Sequence, residues 1–457
     1  FNAAWHETMR TAIAHGVAGL SWHEPRPGAH VARAALAYLH YQAEPGSSCP
    51  LTMTHAAVPV LRHEPALREW ADKAAMPHYD GRDVPMAEKR GVTLGMGMTE
   101  KQGGSDVRAN TTRATPLAGE GEYALVGHKW FFSAPMSDAF LVLAQAPGGL
   151  SCFLLPRWRP DGGKNALRLM RLKDKLGDWS NASSEVEFEG AWARRIGEEG
   201  RGIATILEMV MLTRLDCMLG SAGLMRMALA QAAHHARHRS AFGRRLVDQP
   251  LMRNVLADLA LEVEAAASLA MRVAGCFDRQ ADPREDALRR VITPIAKYWV
   301  TKRCPAVVAE AMECLGGIGY IEESPMARAF RQSPLNAIWE GAGNIMALDL
   351  LRALRKSDVA QALATELAPV RGQHPALDRL IDGLPERLDG GTEEPQARQL
   401  AQDVALVVQA AELARWSSPA VFGAFCDSRL RLGPPAAFGV LGAGHDLAAI
   451  LRRAMPW

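Results

Sequence analysis

The spacing of apolar residues changes twice along this chain of 457 residues. Up to about residue 92, and again from about 201, apolar side chains recur every three or four positions, which is typical of helices that pack against each other. Between about 93 and 197 the chain instead contains short apolar runs, such as Ala139–Ala144 and Leu150–Leu155, separated by turns with Gly or Pro. This order predicts an α+β protein, mainly α, in which an antiparallel β domain lies between helical regions.

The same change divides the chain into four expected regions. Residues 1–92 are predicted to form an N-terminal helical domain, 93–200 a middle β domain, 201–354 a four-helix bundle and 355–457 an extra helical region. The long helices of the bundle are predicted at Ile203–Arg239, Leu251–Phe277, Ala287–Cys314 and Asn344–Leu354. In the first region, Pro59 and Pro65 are expected to break the apolar stretch Thr52–Leu67. Because the chain begins with Phe and this region is short, we expect a truncated N-terminus.

The composition narrows the choice of partners and location. A formal net charge of +2 provides no bulk attraction to nucleic acid or to a membrane. The seven cysteines lie far apart and include no CxxC pair, so a reducing compartment is expected. A membrane-spanning helix needs an apolar run of about 18 residues, and every apolar run in this chain is interrupted by a charged residue well before that length. We therefore expect a cytoplasmic protein with no membrane partner.

The segment IWEGAGNIMALDLLRAL, which begins at Ile338, combines a carboxylate, a glycine-containing turn and a helix start. Glu340 stands between Trp339 and Gly341, and the helix is expected to begin at about Asn344. Glycine lets the backbone approach a ligand closely, and a helix N-terminus presents unpaired N–H groups to an anion. Glu340 is therefore either a cap of this helix or a functional carboxylate.

Two segments of the β domain carry groups that suit a planar or phosphorylated ligand. In GMGMTEKQGGSDVRAN (95–110), backbone N–H groups and hydroxyls are available at Met98, Thr99, Gly104 and Ser105, although an ordinary glycine-rich loop has the same composition. In HKWFFSAP (128–135), the aromatic rings either fill the core or wall one face of a planar cofactor. The residues alone leave both alternatives open.

His234 and His238 lie four positions apart on a predicted helix, as a pair of metal ligands would. No Glu follows in the manner of an HExxH motif, and the surrounding HHARHR is typical of a solvated or phosphate-facing stretch. We therefore predict no metal site.

Six segments, taken in order over roughly 93–354, resemble the successive signatures of the acyl-CoA dehydrogenase superfamily. They are MTEKQGGSD, WFFS, KLGDWSNASSEVEFEG, RHRSAFGRRLVDQP, LGGIGY and IWEGAGNI. The wording of GMGMTEKQGGSD, KWFFS and MLTRLDC resembles one branch of this superfamily, the AidB-type alkylation-response flavoproteins. That branch carries an extra C-terminal helical region, as this chain does after 355.

The resemblance implies FAD as the cofactor and an acyl thioester as the substrate. Glu340 falls on the position of the catalytic base, which removes the α-proton while hydride leaves the β-carbon for flavin N5. Arg239, Phe242 and Gln249 match a pattern that contacts the FAD of a neighbouring subunit, which implies a homo-oligomer, expected to be a tetramer. The other cofactor-binding positions implied by the resemblance are Met98, Thr99, Gly104, Ser105, Phe131, Ser133, Gly316, Gly317, Ile338, Gly341, Gly343 and Asn344.

Three residues depart from the family pattern: Lys101 replaces the usual Pro, Trp179 the usual Arg and Glu313 the usual Gln. Lys101 and Trp179, together with the extra C-terminal region, support an alternative, a DNA-associated protective flavoprotein with weak or no dehydrogenase turnover. For double-stranded DNA the candidate basic face consists of Arg429, Arg431, Arg452 and Arg453. Residues 355–457 contain 11 Lys+Arg against 12 Asp+Glu, a net charge of −1, so an ordinary helical surface is the favoured explanation of these arginines.

Overall fold

The computed structural model describes residues 2–431 and 433–455. They form two compact units, unit 1 up to Asp216 and unit 2 from Cys217. The boundary falls inside helix α6 (Gly202–His238), so one continuous helix contributes residues to both units. In the described ranges, no helix combines the length and the apolar character needed to cross a membrane.

Unit 1 begins with five helices: α1 (Ala3–Ala14), α2 (Leu20–His23), α3 (Ala29–Ala43), α4 (Ser48–Arg62) and α5 (Arg68–Ala75). Pro59 lies inside α4, so the prediction that it breaks the helix was wrong. A proline in a helix leaves the carbonyl four residues earlier without its N–H partner. Here that carbonyl, of His55, accepts a hydrogen bond of 2.9 Å from the indole Nε1 of Trp22.

A seven-stranded sheet follows. Its strands are β1 (Leu94–Gly97), β2 (Arg113–Pro116), β3 (Glu122–Ser133), β4 (Ala139–Ala146), β5 (Gly149–Pro156), β6 (Leu167–Leu172) and β7 (Ser183–Ile196). The order is β1-β4-β2-β3-β7-β5, with a further β4–β5 pairing that closes the sheet on itself and β6 attached to β7. The pairings are antiparallel, as predicted, except that β1 and one residue of β2 run parallel to β4.

The glycines of β1 are required by packing. A Cβ on Gly95 would lie 2.5 Å from a ring carbon of Phe140, and a Cβ on Gly97 would lie 2.5 Å from a ring carbon of Phe132. Both phenylalanines are fully buried in the core of the sheet. The strand that leads to Met98 and Thr99 is therefore pressed directly against the aromatic core.

Unit 2 contains the long helices of the bundle. After α6 come a short hairpin, β8 (Ser240–Ala241) and β9 (Arg244–Arg245), then α7 (Pro250–Asp278), α8 (Pro283–Cys314), α9 (Pro325–Gln332) and α10 (Gly343–Leu354). The predicted helices match α6, α7, α8 and α10 to within four residues at each end. The starts of α7 and α8 lie earlier than predicted because each helix begins with a proline, whose missing N–H costs nothing in the first turn.

The remaining helices are α11 (Ser357–Leu367), α12 (Pro375–Asp382), α13 (Leu384–Glu386), α14 (Ala397–Trp416), α15 (Pro419–Phe425) and α16 (Leu447–Ala454). A buried charge network attaches them to the bundle. Arg272 of α7 contacts Glu285 of α8 and Glu366 of α11, each at 2.9 Å. Arg415 of α14 contacts the same Glu366 at 2.6 Å. The extra helical region is therefore packed as part of unit 2.

Candidate functional site

The predicted cofactor residues are divided between the two units. In unit 1, the loop after β1 is held by Glu100, whose carboxylate is buried. The carboxylate accepts hydrogen bonds from Lys129 Nζ at 2.7 Å and from the backbone N–H of Thr111 at 2.7 Å. Lys129 also donates to the Leu143 carbonyl at 2.8 Å.

Burial by itself would raise the pKa of Glu100. The charge of Lys129, together with hydrogen bonds from Lys129, Thr112 and Thr111, outweighs this effect and lowers the pKa to about 2. Glu100 is therefore ionised at neutral pH and fixes the base of the loop. Gly104 and Ser105 lie exposed farther along this loop, and Met98 and Thr99 are half-buried at its start.

The two phenylalanines at the end of β3 differ in burial, so one fills the core and the other is available to a cofactor. Phe132 is fully buried in the core, whereas Phe131 is 48% exposed. The Trp130 N–H donates to the Thr99 carbonyl at 2.8 Å, which ties β3 to the end of β1. Lys173 Nζ lies 3.2 Å from the centroid of the Trp130 ring, and a cation over an aromatic face is attracted by it. Ser133 is half-buried at the strand end.

In unit 2, the hairpin β8–β9 presents an aromatic side chain to solvent. Phe242, at its tip, is 97% exposed and has φ +52°. The side-chain Nε2 of Gln249 donates to the Ala241 carbonyl at 2.9 Å, so this amide stabilises the hairpin. Arg239 is exposed just before β8. The three residues of the predicted inter-subunit pattern therefore lie on one hairpin and its flanks.

The glycine pair after α8 also faces open space. A Cβ built on Gly316 or on Gly317 meets no atom within 4 Å, and Gly316 has φ +62°. The pair belongs to the short 3-10 segment Gly316–Tyr320. Backbone at this position is open to close approach by a ligand.

Glu340 lies in a turn just before α10 and is half-buried. Its φ is +59° and that of Gly341 is +99°, so two successive residues adopt left-handed conformations. The N-cap position of α10 belongs to Ala342, which carries no capping oxygen, and Glu340 lies two positions before it. Ile338 and Asn344 are exposed on either side of the turn, and Gly343 is buried.

The turn is tied to α8 by a lysine that the sequence did not single out. Lys297 is buried, and its Nζ donates to the carbonyl of Trp339 at 2.8 Å and to that of Gly341 at 2.5 Å. These two carbonyls flank Glu340. A spacing of 44 residues between Lys297 and Gly341 leaves no local signal from which this contact could be found.

Backbone strain coincides with the predicted segments. In the part of the chain that the structure describes, four non-glycine residues have φ in the left-handed region: Ala134, Asp178, Phe242 and Glu340. Each belongs to one of the segments that resemble family signatures or follows one directly. The Ala134 N–H donates to the Ala182 carbonyl at 2.7 Å, so two of these segments are joined in unit 1. Strained residues of this kind cluster at functional sites.

The predicted basic face for DNA requires a correction. Arg429 is fully buried and contacts Asp258 at 2.5 Å and Glu262 at 3.0 Å, so it cannot face a nucleic-acid phosphate. Its charge is used inside unit 2 because a buried arginine needs carboxylate partners. Arg431 and Arg452 are exposed, and Arg453 contacts Glu264 at 2.8 Å. The prediction that these four arginines form one basic face is therefore wrong, because Arg429 is buried.

His234 and His238 lie close together on α6, with ring centroids 4.5 Å apart. Across residues 2–431 and 433–455, no cluster of three or more His, Cys, Asp or Glu side chains is arranged to hold a metal ion.

Three family models match this chain in the order of the fold. The N-terminal domain of the adaptive response protein AidB matches residues 1–81, the middle domain of acyl-CoA dehydrogenase 95–191, and its C-terminal domain 200–355. The chain therefore belongs to the acyl-CoA dehydrogenase family, and the fold predicted from the sequence is confirmed. Members of this family are FAD-dependent, in agreement with the predicted cofactor.

Individual relatives place the chain within this family. AidB of Escherichia coli is 49% identical over 434 residues, which cover 94% of this chain and 80% of AidB. Together with the AidB domain match, this identity confirms the predicted AidB-type branch. Among solved structures, Caenorhabditis elegans ACDH-11 in complex with C11-CoA has a TM-score of 0.83 and 26% identity, covering 94% of this chain and 80% of that one. Acyl-CoA dehydrogenase of Bacillus anthracis in complex with FAD has a TM-score of 0.75, covers 92% and 80%, and at 20% identity supports the fold alone.

Proposed function

We propose that this chain is an FAD-dependent oxidoreductase that oxidises an acyl thioester, with Glu340 as the base. The turn around Glu340 is the observation that supports this most directly. Glu340 is half-buried and has a left-handed backbone conformation. It lies directly before a helix N-terminus that lacks a capping side chain. Apolar neighbours, Ile338 and Trp339, suit contact with an acyl chain.

The residues present fit FAD in each unit. In unit 2, the bare backbone at Gly316 and Gly317 and the uncapped start of α10 suit a diphosphate, since unpaired N–H groups attract an anion. We assign Gly316, Gly317, Gly341, Gly343, Asn344 and Ile338 to this role. In unit 1, the loop held by Glu100 and the exposed ring of Phe131 suit a planar heterocycle. We assign Met98, Thr99, Gly104, Ser105, Phe131 and Ser133 to this role.

The reaction breaks two C–H bonds of the substrate. The α-proton moves to a carboxylate oxygen of Glu340, and the thioester carbonyl makes this proton acidic. The β-hydrogen leaves with its electron pair, and a double bond forms between the two carbons. When bound, FAD supplies the acceptor for this hydride. The chain must hold the Glu340 carboxylate at one point near the substrate, because a base acts only within hydrogen-bond reach of its proton.

A similar solved structure supports an assignment of the substrate class, and an exposed side chain supports an assignment of the oligomeric state. C11-CoA is bound in the structure of C. elegans ACDH-11, and this supports an acyl-CoA as the class of substrate here. Phe242 projects almost fully exposed from its hairpin, and such an aromatic side chain is costly to leave in water. We propose a homo-oligomer, a tetramer, in which Arg239, Phe242 and Gln249 complete the FAD site of a neighbouring subunit.

Anaerobic mixing of the purified flavoprotein with a panel of acyl-CoAs tests the proposal. At least one acyl-CoA should bleach the flavin absorbance rapidly. Glu340→Gln should keep its FAD but bleach about 10²–10⁴-fold more slowly, because a positioned base contributes that much. The control, Glu323→Gln, makes the same change at an exposed position and should bleach at the unchanged rate. Equal rates for Glu340→Gln and the unaltered protein would reject Glu340 as the base.

A second candidate is a DNA-associated protective flavoprotein with weak or no dehydrogenase turnover. Its support is the exposure of Arg431 and Arg452, together with Lys101 and Trp179, which are exposed where the family pattern has other residues. Binding to double-stranded DNA should then weaken steeply as salt rises, since contacts to phosphate release counterions. Arg431→Gln with Arg452→Gln should reduce the salt slope. Binding that is absent or indifferent to salt rejects this candidate.

A further inference from the structure

The backbone at Glu340 adopts a conformation that a glutamate avoids. Its φ of +59° lies in the left-handed region, and Gly341 follows with φ +99°. A non-glycine residue in this region costs free energy and persists only where the surrounding structure holds it. Contacts from other parts of unit 2 must therefore hold this turn.

Lys297 contacts the turn on both sides of Glu340. It lies on α8 and is 1% exposed. Its Nζ donates to the Trp339 carbonyl at 2.8 Å and to the Gly341 carbonyl at 2.5 Å. One ammonium group thus holds the peptide group before Glu340 and the peptide group after Gly341, which restrains the backbone angles of these two residues together.

A second contact fixes the residue next to Glu340. The Trp339 indole Nε1 donates to Asn336 Oδ1 at 2.8 Å. Asn336 in turn donates through Nδ2 to Ser221 Oγ at 3.1 Å, and both of these residues are buried. The side chain before Glu340 is therefore attached to α6 through a chain of two hydrogen bonds.

We propose that Lys297 is a positioning residue, which keeps Glu340 in the left-handed conformation that directs its carboxylate to the substrate. This inference rests on the proposed role of Glu340 as the base. In this role Lys297 exchanges no proton with the substrate and acts by holding the two carbonyls. A displacement of about 1 Å in a reacting group is enough to cost about 10²-fold in rate.

The test replaces Lys297 with Met, which has a similar length but no hydrogen-bond donor. Lys297→Met should retain FAD and lower the rate of flavin bleaching by acyl-CoA about 100-fold. The apparent dissociation constant of the acyl-CoA should change less than threefold. Amide hydrogen exchange should become faster in 335–343 and stay unchanged in α7. The matched control, Lys356→Met, removes the same charge from an exposed position between α10 and α11 and should leave the bleaching rate and the exchange of 335–343 unaltered.

A double variant separates this inference from the proposed function. In a Glu340→Gln background, adding Lys297→Met should cause no further loss of rate, because Lys297 acts through Glu340. If Glu340→Gln bleaches normally, the proposed function fails. If Glu340→Gln is slow but Lys297→Met bleaches at the unaltered rate, only the positioning role fails.

Two other results also reject the inference: an additive loss in the double variant, or loss of affinity with an unchanged bleaching rate. If Lys297→Met does not fold, Lys297→Arg decides, since it keeps the charge but not the point geometry of the ammonium. A bleaching rate lowered about tenfold supports the positioning role, and an unchanged rate rejects it.

Discussion

Lys129 in unit 1 and Lys297 in unit 2 are both buried, and each lies under a segment that carries predicted site residues. Lys129 contacts the Glu100 carboxylate at 2.7 Å, and that carboxylate holds the backbone of the loop. Lys297 instead holds the backbone directly, through two carbonyl oxygens. In unit 1 the loop therefore depends on an ion pair. In unit 2 a strained turn depends on two hydrogen bonds from one ammonium group.

The difference shows how the same residue type can fix a site in two ways. The ion pair anchors a loop that contains several glycines and hydroxyls, and it leaves their exact positions to the loop. The carbonyl contacts restrain a two-residue turn, Glu340 and Gly341, at the point where the proposed chemistry needs a defined geometry. We therefore expect loss of the first anchor to affect mainly stability, and loss of the second to affect mainly catalysis.

The largest expected effect on stability comes from Glu100→Gln. It leaves the buried Lys129 without its carboxylate and should lower the free energy of unfolding by about 3–5 kcal/mol. The measurement is urea unfolding together with amide hydrogen exchange of β3. Glu187→Gln, an exposed position on β7, is the control and should stay within about 0.5 kcal/mol.

The combination of Glu100→Gln with Lys129→Met sharpens this result. Removing both charges should restore part of the lost stability, since a buried pair replaced by neutral side chains is often tolerated. No recovery would show that the loop depends on the hydrogen bonds to Thr111 and Thr112 rather than on the ion pair.

Acidification should weaken the anchor that Glu100 provides. The pKa of Glu100 is lowered from 4.5 to about 2 in the folded protein, so its contribution to stability is complete above 4.5. That contribution is lost as the pH falls from about 4.5 to 2. Between these values, the protection of the amides in 98–112, measured relative to their intrinsic exchange rate at each pH, should fall in the unaltered protein and change less in Glu100→Gln. The same pH response in both proteins would contradict the assignment.

The smallest expected effect comes from Trp339→Phe, which removes the indole donor to Asn336 but keeps the Lys297 contacts. One such hydrogen bond contributes about 1 kcal/mol. Urea unfolding should detect this change, and hydrogen exchange in 335–343 should rise less than in Lys297→Met. If the two variants exchange alike, the indole contact holds the turn as strongly as Lys297 does.

The sequence by itself determined the order of the elements, the family and the location of the candidate segments. Apolar spacing is a local property, and it predicted α6, α7, α8 and α10 to within four residues. The amino-acid sequence of a motif is local as well, so Glu340, Gly316 and Phe242 could be identified as candidate site residues from the residues around them. The strained conformations at Glu340 and Phe242 occur within those same segments.

Only the tertiary structure decided which charges are buried and what they hold. Arg429 and Arg431 stand two positions apart and look alike in the sequence, yet one is buried against Asp258 and Glu262 and the other is exposed. Lys297 reaches carbonyls more than 40 residues away, and Lys129 reaches a carboxylate 29 residues away. Such contacts depend on how distant segments pack, because burying a charge is favourable only where the fold brings partners to it.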